Sequence, residues 1–231
     1  EVWLAAKGQV VSAVSLATLY RTLLPPEALG SQGPPPCVQP GGYMKEGWAA
    51  MSLFVGLENS GAELGLDAIQ ANAWAFRGPN HDELFETYLS QTPAEVVAGK
   101  VPMPGVFVGF PSSKDPAWKE DFPGKSSVTI VAFTNYTWFA PHEGGRVHKR
   151  GAEYDALKDA IAKEMWAFAC DVYPQLRKAK IGHFEAGTPL SNNYYIGSQR
   201  GEIYGADHSH QRFALRNLME TRPDVAGIPG L

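Results

Sequence analysis

Tyr154, Leu157, Ile161, Met165, Phe168 and Val172 follow one another at steps of three, four, four, three and four residues. That period predicts one long helix from about Ala152 to Tyr173, with a single apolar stripe. A stripe of this length has to be buried against another layer, so it reads as core-facing rather than as a cofactor contact. Pro174 stops the helix, because proline supplies no amide donor. The partner layer is legible in four β-rich runs. Trp48 to Leu57, Val106 to Phe110 and Ser127 to Phe133 are three of them. Asn72 to Arg77 is the fourth, with Trp74 and Phe76 on one face and alanines that weaken it.

Shorter helices fill in between. His81 to Gln91 carries Leu84, Phe85, Tyr88 and Leu89 on one side. Thr92-Pro93-Ala94-Glu95 is a helix start: a capping threonine, a proline at the first helical position and a glutamate that reaches back. Gly99 ends that helix. Val10-Val11 reads as a short strand leading into a helix with Leu16, Leu19, Tyr20, Leu23 and Leu24 on one face, ended by Pro25-Pro26. Gly30 to Gly42 reads as a loop and Pro111 to Gly124 as a polar turn region. Strands mix with helices without strict alternation. The expected class is therefore α/β of the mixed α+β kind, a mixed sheet with helices packed on it.

Composition narrows the partners. The 231 residues carry a net charge of −4 and no basic stripe, which excludes nucleic acid as a partner. Six Trp, nine Tyr and eleven Phe fit either a well-filled core or the lining of an apolar ligand site. Cys37 and Cys170 stand far apart, with no metal spacing, and read as buried thiols. Asn135-Tyr136-Thr137 fits a glycosylation acceptor but falls in an expected strand. The run from Ser126 to Pro141 is too short and too polar to span a bilayer.

No Gly-x-Gly-x-x-Gly and no Walker loop occurs. The serine of Gly197-Ser198-Gln199-Arg200-Gly201 stands one place early for a nucleophile elbow. Ser112-Ser113-Lys114 lacks the Ser-x-x-Lys spacing. His208-Ser209-His210 has no third ligand, so no metal site is expected. Glu83/Glu86 and Asp155/Asp159 fall on helix faces as solvated charges. The chain opens at Glu1 without methionine and stops at Ile228-Pro229-Gly230-Leu231, where a strand could begin, which leads us to expect a piece of a longer protein. The residues by themselves yield no complete catalytic set.

Three patches carry a resemblance. The first is Phe110-Pro111-Ser112-Ser113-Lys114-Asp115-Pro116-Ala117-Trp118 with Phe122-Pro123-Gly124-Lys125-Ser126. The second is Gly151 to Leu176. The third is Gly187 to His208, GTPLSNNYYIGSQRGEIYGADH. In order and separation they resemble the substrate-side portion of the retinol saturase family. That family lies within the flavin-dependent phytoene desaturase and carotenoid isomerase group. The match weakens between Gly61 and Gly99.

The resemblance implies a flavin-binding Rossmann-type domain into which a substrate domain is inserted, with the Rossmann core incomplete in this chain. Residues 1–30 would form the edge of the flavin-binding domain, 31–186 the substrate domain, and 187–231 the segment returning to the flavin. It implies FAD as cofactor and NAD or NADP as reductant. The substrate would be a retinoid or carotenoid polyene, such as all-trans-retinol reduced across its 13,14 bond. The location implied is the endoplasmic reticulum membrane, or a plastid if the chain is isomerase-like. A carotenoid cis–trans isomerase and a non-catalytic apolar-ligand module are the alternatives. Without the pyrophosphate-binding glycines, the chain alone is expected to hold no flavin stably and to be inactive.

Site residues are carried over from the third patch. Thr188-Pro189 would make a fixed turn, and Gly201 and Gly205 would let backbone approach a flat ring. Arg200 would pair with a cofactor or substrate oxygen. Tyr204 would line the site or supply a proton. Two departures stand out: Ala13-Val14-Ser15 replaces the family's Asn-Ala-Gly turn, and Gln199-Arg200-Gly201 replaces its Pro-Arg-Gly.

Overall fold

The computed structural model describes residue 8, residues 11–146 and residues 149–222. Among them, strands β1 (Ala49–Leu57), β2 (Ala73–Phe76), β3 (Gly105–Gly109), β4 (Ser126–Thr134) and β5 (Ile181–Gly187) form one sheet in the order β2-β3-β4-β1-β5. The helices are α1 (Leu16–Thr18), α2 (His81–Leu89), α3 (Pro93–Val97), α4 (Trp118–Asp121), α5 (Ala152–Val172), α6 (Pro189–Ile196), α7 (His210–Phe213) and α8 (Leu215–Glu220). The expected class, strands with packed helices, is the one observed. Every pairing within the sheet is antiparallel, where a mixed sheet was expected. The hydrophobic runs could not reveal this, because strand direction follows from connections rather than from composition.

Side chains alternate across the sheet, and the two faces differ. Met51, Leu53, Val55 and Leu57 of β1 point to the same side as Val106 and Val108 of β3 and Val128, Ile130 and Ala132 of β4. The α5 stripe covers that side. Leu157, Ile161 and Met165 are fully buried there, each worth roughly 1.5–3 kcal/mol. Thr92 and Glu95 form the expected capping box at α3. The helix expected over Leu16 to Leu24 is present as α1 continued by a wider turn over Leu19–Leu23.

Several local expectations need correction. Of Val10-Val11, Val10 lies outside the described residues and Val11 is exposed and in no strand. Asn135 stands just past β4 and not inside it. Its amide donates to the Leu89 carbonyl and its oxygen accepts from Thr137. The Pro111–Gly124 turn region contains α4, and the 30–42 loop includes a tight turn over Pro36–Val38. The terminal Ile228-Pro229-Gly230-Leu231 lies outside the described residues. Cys37 and Cys170 are both buried and free, as expected. No helix among the described residues is long and apolar enough to cross a membrane.

Candidate functional site

The other side of the sheet is where alternation leaves apolar side chains outside the main core. Register places Trp74 opposite Phe107, Phe107 opposite Val131, and Val131 opposite Ser52, so all four share one row on this face. Phe133 and Ala50 form the row on one side of it, and Phe54 with Glu185 the row on the other. Trp74 stacks on Phe133 at 5.7 Å and 13° and on Phe76 at 6.2 Å and 8°. Trp48, one residue before β1, meets Phe133 edge-on at 5.3 Å and Phe85 of α2 at 5.5 Å. His81 lies on Phe76 at 4.3 Å.

These rings are in contact yet open. Trp48 is 54% exposed, Trp74 42% and Phe76 40%. Aromatic pairs of this kind add about 0.5–1.5 kcal/mol each. Among the described residues the cluster is thus held in place without being covered. A contiguous open patch of large apolar side chains marks a surface built to receive something. The composition left two readings for the aromatics, core or lining. The structure divides them: Trp138, Phe139, Phe110 and Tyr88 are core, and the Trp48–Trp74–Phe133 group is not.

The third sequence patch sits at the same end of the sheet as Trp48. After β5, Thr188 starts α6: it is fully buried, and its hydroxyl shares a 2.7 Å hydrogen bond with the Tyr154 hydroxyl. Ser191 Oγ accepts from the Thr188 amide. Pro189 takes the first helical position. The chain then turns at Gly197 and runs back beside residues 46–50, with bridges between Ala49 and Glu202 and between Glu46 and Ala206. Asn192 fastens the return by donating to the carbonyls of Ala50 and Gly201. Asn193 accepts from the Gly201 amide and donates to the Tyr136 hydroxyl. The buried Glu202 carboxylate accepts from the amides of Gln199 and Arg200. A proline at 199 would have no such amide, so the departure at Gln199 adds a tie to the loop.

The sequence-derived site residues divide by environment. Thr188, Pro189 and Gly201 are buried in this joint. A Cβ built on Gly201 would overlap Pro189, so the glycine serves chain packing there. Arg200 is exposed and its guanidinium lies 5.0 Å from the centre of the Tyr136 ring. Tyr204 and Gly205 line a cleft of about 610 Å³ together with Val14, Ser15, Met44 and Phe213. Tyr204 is 58% exposed there, and a Cβ on Gly205 would meet nothing within 4 Å. The Ala13-Val14-Ser15 departure and the Tyr204-Gly205 pair, far apart in sequence, therefore face one space. Among the described residues no group of three or more metal-ligating side chains occurs, and His208 and His210 gain no third partner.

Sequence reasoning missed the aromatic face as a site. It paired Trp74 with Phe76 but had no means of bringing Trp48, Phe107 and Phe133 to them, since that depends on strand order. It also missed β5 and α6. The α6 start, Thr188-Pro189 with Ser191, repeats the threonine–proline signal that identified α3.

No family model matches the chain. Curated relatives do. An all-trans-retinol 13,14-reductase of Danio rerio is 37% identical over 89% of this chain and 32% of its own length. The protein of the same name from Macaca fascicularis is 33% identical over 96% of this chain and 35% of its own. A Danio rerio protein named an inactive all-trans-retinol 13,14-reductase is 30% identical over 92% of this chain. The chain spans about a third of the length of these relatives.

Proposed function

This chain belongs to the retinol saturase family, and we propose that it forms the polyene-binding side of a flavin-dependent reductase. The reaction is saturation of one double bond in a conjugated polyene of the all-trans-retinol kind, with NAD or NADP as the reductant. The observation that carries this reading is the open aromatic face around Trp48, Trp74 and Phe133. A flat conjugated chain gains most from flat apolar walls, and these rings are already fixed by one another. Five strands at about 4.8 Å spacing give that face a width of roughly 19 Å, room for an extended polyene.

The cleft beside Tyr204 is the proposed cofactor-facing edge. FAD, when bound, supplies hydride transfer to one carbon of the double bond. Gly205 leaves space against a flat ring, and Tyr204, lining the same cleft, would carry the proton that the other carbon needs. Arg200, mounted on Tyr136, is a cation available to an oxygen of cofactor or substrate. No Gly-x-Gly-x-x-Gly is present in the chain to hold a pyrophosphate. Purified chain is accordingly expected to be colourless, and a bound flavin spectrum would contradict this.

The proposed division gives residues 31–186 to the substrate domain, with 1–30 and 187–231 toward the cofactor. A second small core supports a tie between the chain before β1 and α8. Tyr20, Cys37 and Val38 pack together, and Tyr43 donates to the Asn217 carbonyl of α8. That unit reaches to Met44, beyond the boundary read from sequence. Because a polyene resides in lipid, the reading carries a membrane location, the endoplasmic reticulum for a retinol substrate.

The relative named inactive favours a second reading, in which the aromatic face binds a polyene without chemistry. Product analysis separates them. The enzyme containing this chain, given FAD, a reduced nicotinamide and all-trans-retinol, is expected to yield a product saturated at the 13,14 bond. Retinol recovered unchanged, or only isomerised, would overturn the reductase reading.

A further inference from the structure

The aromatic face does not end in solvent on every side. Following its rows toward β5, the large rings give way to Ser52 and Phe54, and these two also line a cavity of about 480 Å³. Beside Ala186 and Ile196, charged and polar groups line the cavity. Arg150 and Lys158 bring cations, Asp155 and Glu185 bring carboxylates, and Tyr195 brings a hydroxyl. The Arg150 Nε is buried and has no hydrogen-bond partner among the described residues, although one terminal nitrogen donates to the Tyr154 hydroxyl. A buried donor without an acceptor costs stability until something supplies one.

We infer that this cavity takes the oxygen-bearing end of the polyene, with Arg150 as the anchoring residue. The inference rests on the proposed polyene-binding role of the aromatic face. Its chemistry follows from the lining. Two cations and two carboxylates offer both donors and acceptors, which suits a neutral hydroxyl that donates and accepts at once. Ligand sites of this type are mostly apolar, with a few polar groups that fix orientation. Here the apolar part and the polar part are contiguous through Ser52 and Phe54. The oxygen end would then be anchored by Arg150 and the conjugated chain laid across Val131 toward Trp74 and Phe133.

The test is a binding titration on the full chain, followed by ligand fluorescence, with two probes. One is all-trans-retinol. The other is the matching hydrocarbon with a methyl in place of the alcohol carbon's hydroxymethyl group. Retinol is expected to bind more tightly, and Arg150→Met to weaken retinol by about threefold to tenfold while leaving the hydrocarbon unchanged. Tyr195→Phe, which removes one exposed hydroxyl and little else, is expected to act in the same direction with a smaller effect. Equal affinities for the two probes, with neither variant discriminating, would overturn the inference while leaving the aromatic face as a polyene site. Failure of both probes to bind the unaltered chain would instead overturn the polyene reading on which it rests.

Discussion

A methyl group on Gly201 would overlap Pro189, and the backbone there holds φ at 70°, a region L side chains avoid. Gly205 has nearly the same φ, 69°, but open space around it. The pair separates two effects that sequence alone merges. Gly205→Ala carries the conformational cost only, about 1 kcal/mol. Gly201→Ala adds a clash with a buried helix start, so its cost is expected to reach about 3 kcal/mol. Urea unfolding midpoints of the two variants check this: equal losses would mean that the Gly201–Pro189 contact carries no weight. Read from sequence, both glycines signalled a close approach to something flat. The structure shows that Gly201 approaches its own chain, and only Gly205 faces an open cleft. Nothing in the residue types distinguishes them, because the difference lies in what the α6 turn brings back.

Helix α5 carries the feature that the sequence showed best, its apolar stripe, together with one it did not show. Glu164 lies on α5 among core residues, and its carboxylate accepts from the Met103 amide. Burial raises its pKa above the usual carboxylate range, opposed by that hydrogen bond and by Arg77. A carboxyl whose folded value lies above its unfolded value stabilises the fold most below the unfolded pKa. That contribution is lost as pH rises through the folded value. Thermal stability of the chain is therefore expected to fall across this interval, above about pH 4.5. Glu164→Gln keeps an acceptor for Met103 and removes the charge, so the fall should flatten. An unchanged pH profile in that variant would contradict the assignment. Strands β1 and β4 and helices α2, α3 and α5 were all legible, because each has its own period or cap. Strand β5 was not: its residues from Ile181 to Glu185 are exposed at a sheet edge, and edge strands carry little hydrophobic signal.

At the scale of the described residues the molecule is a sheet with one dry side and one open aromatic side, and a small second core around Tyr20, Cys37 and Val38 is tied to α8 through Tyr43. The class was readable because periodicity reports layers. The order of the strands was not, and the functional face depends on that order. Trp48, Trp74, Phe107 and Phe133 become neighbours only when β2, β3, β4 and β1 lie in that sequence. The resemblance pointed to the third patch, which the structure places at the end of this face rather than across it.

The central claim is that the aromatic side of the sheet holds a polyene. It is tested most directly by titrating all-trans-retinol into the full chain and into a Trp74→Ala/Phe133→Ala double variant, with binding followed by the fluorescence of the ligand. The account predicts saturable binding to the unaltered chain and an affinity at least about tenfold weaker in the variant, the loss expected for two truncated apolar walls. Circular dichroism should show the same fold in both, since the two side chains lie outside the main core. Undiminished binding by a folded double variant would contradict it.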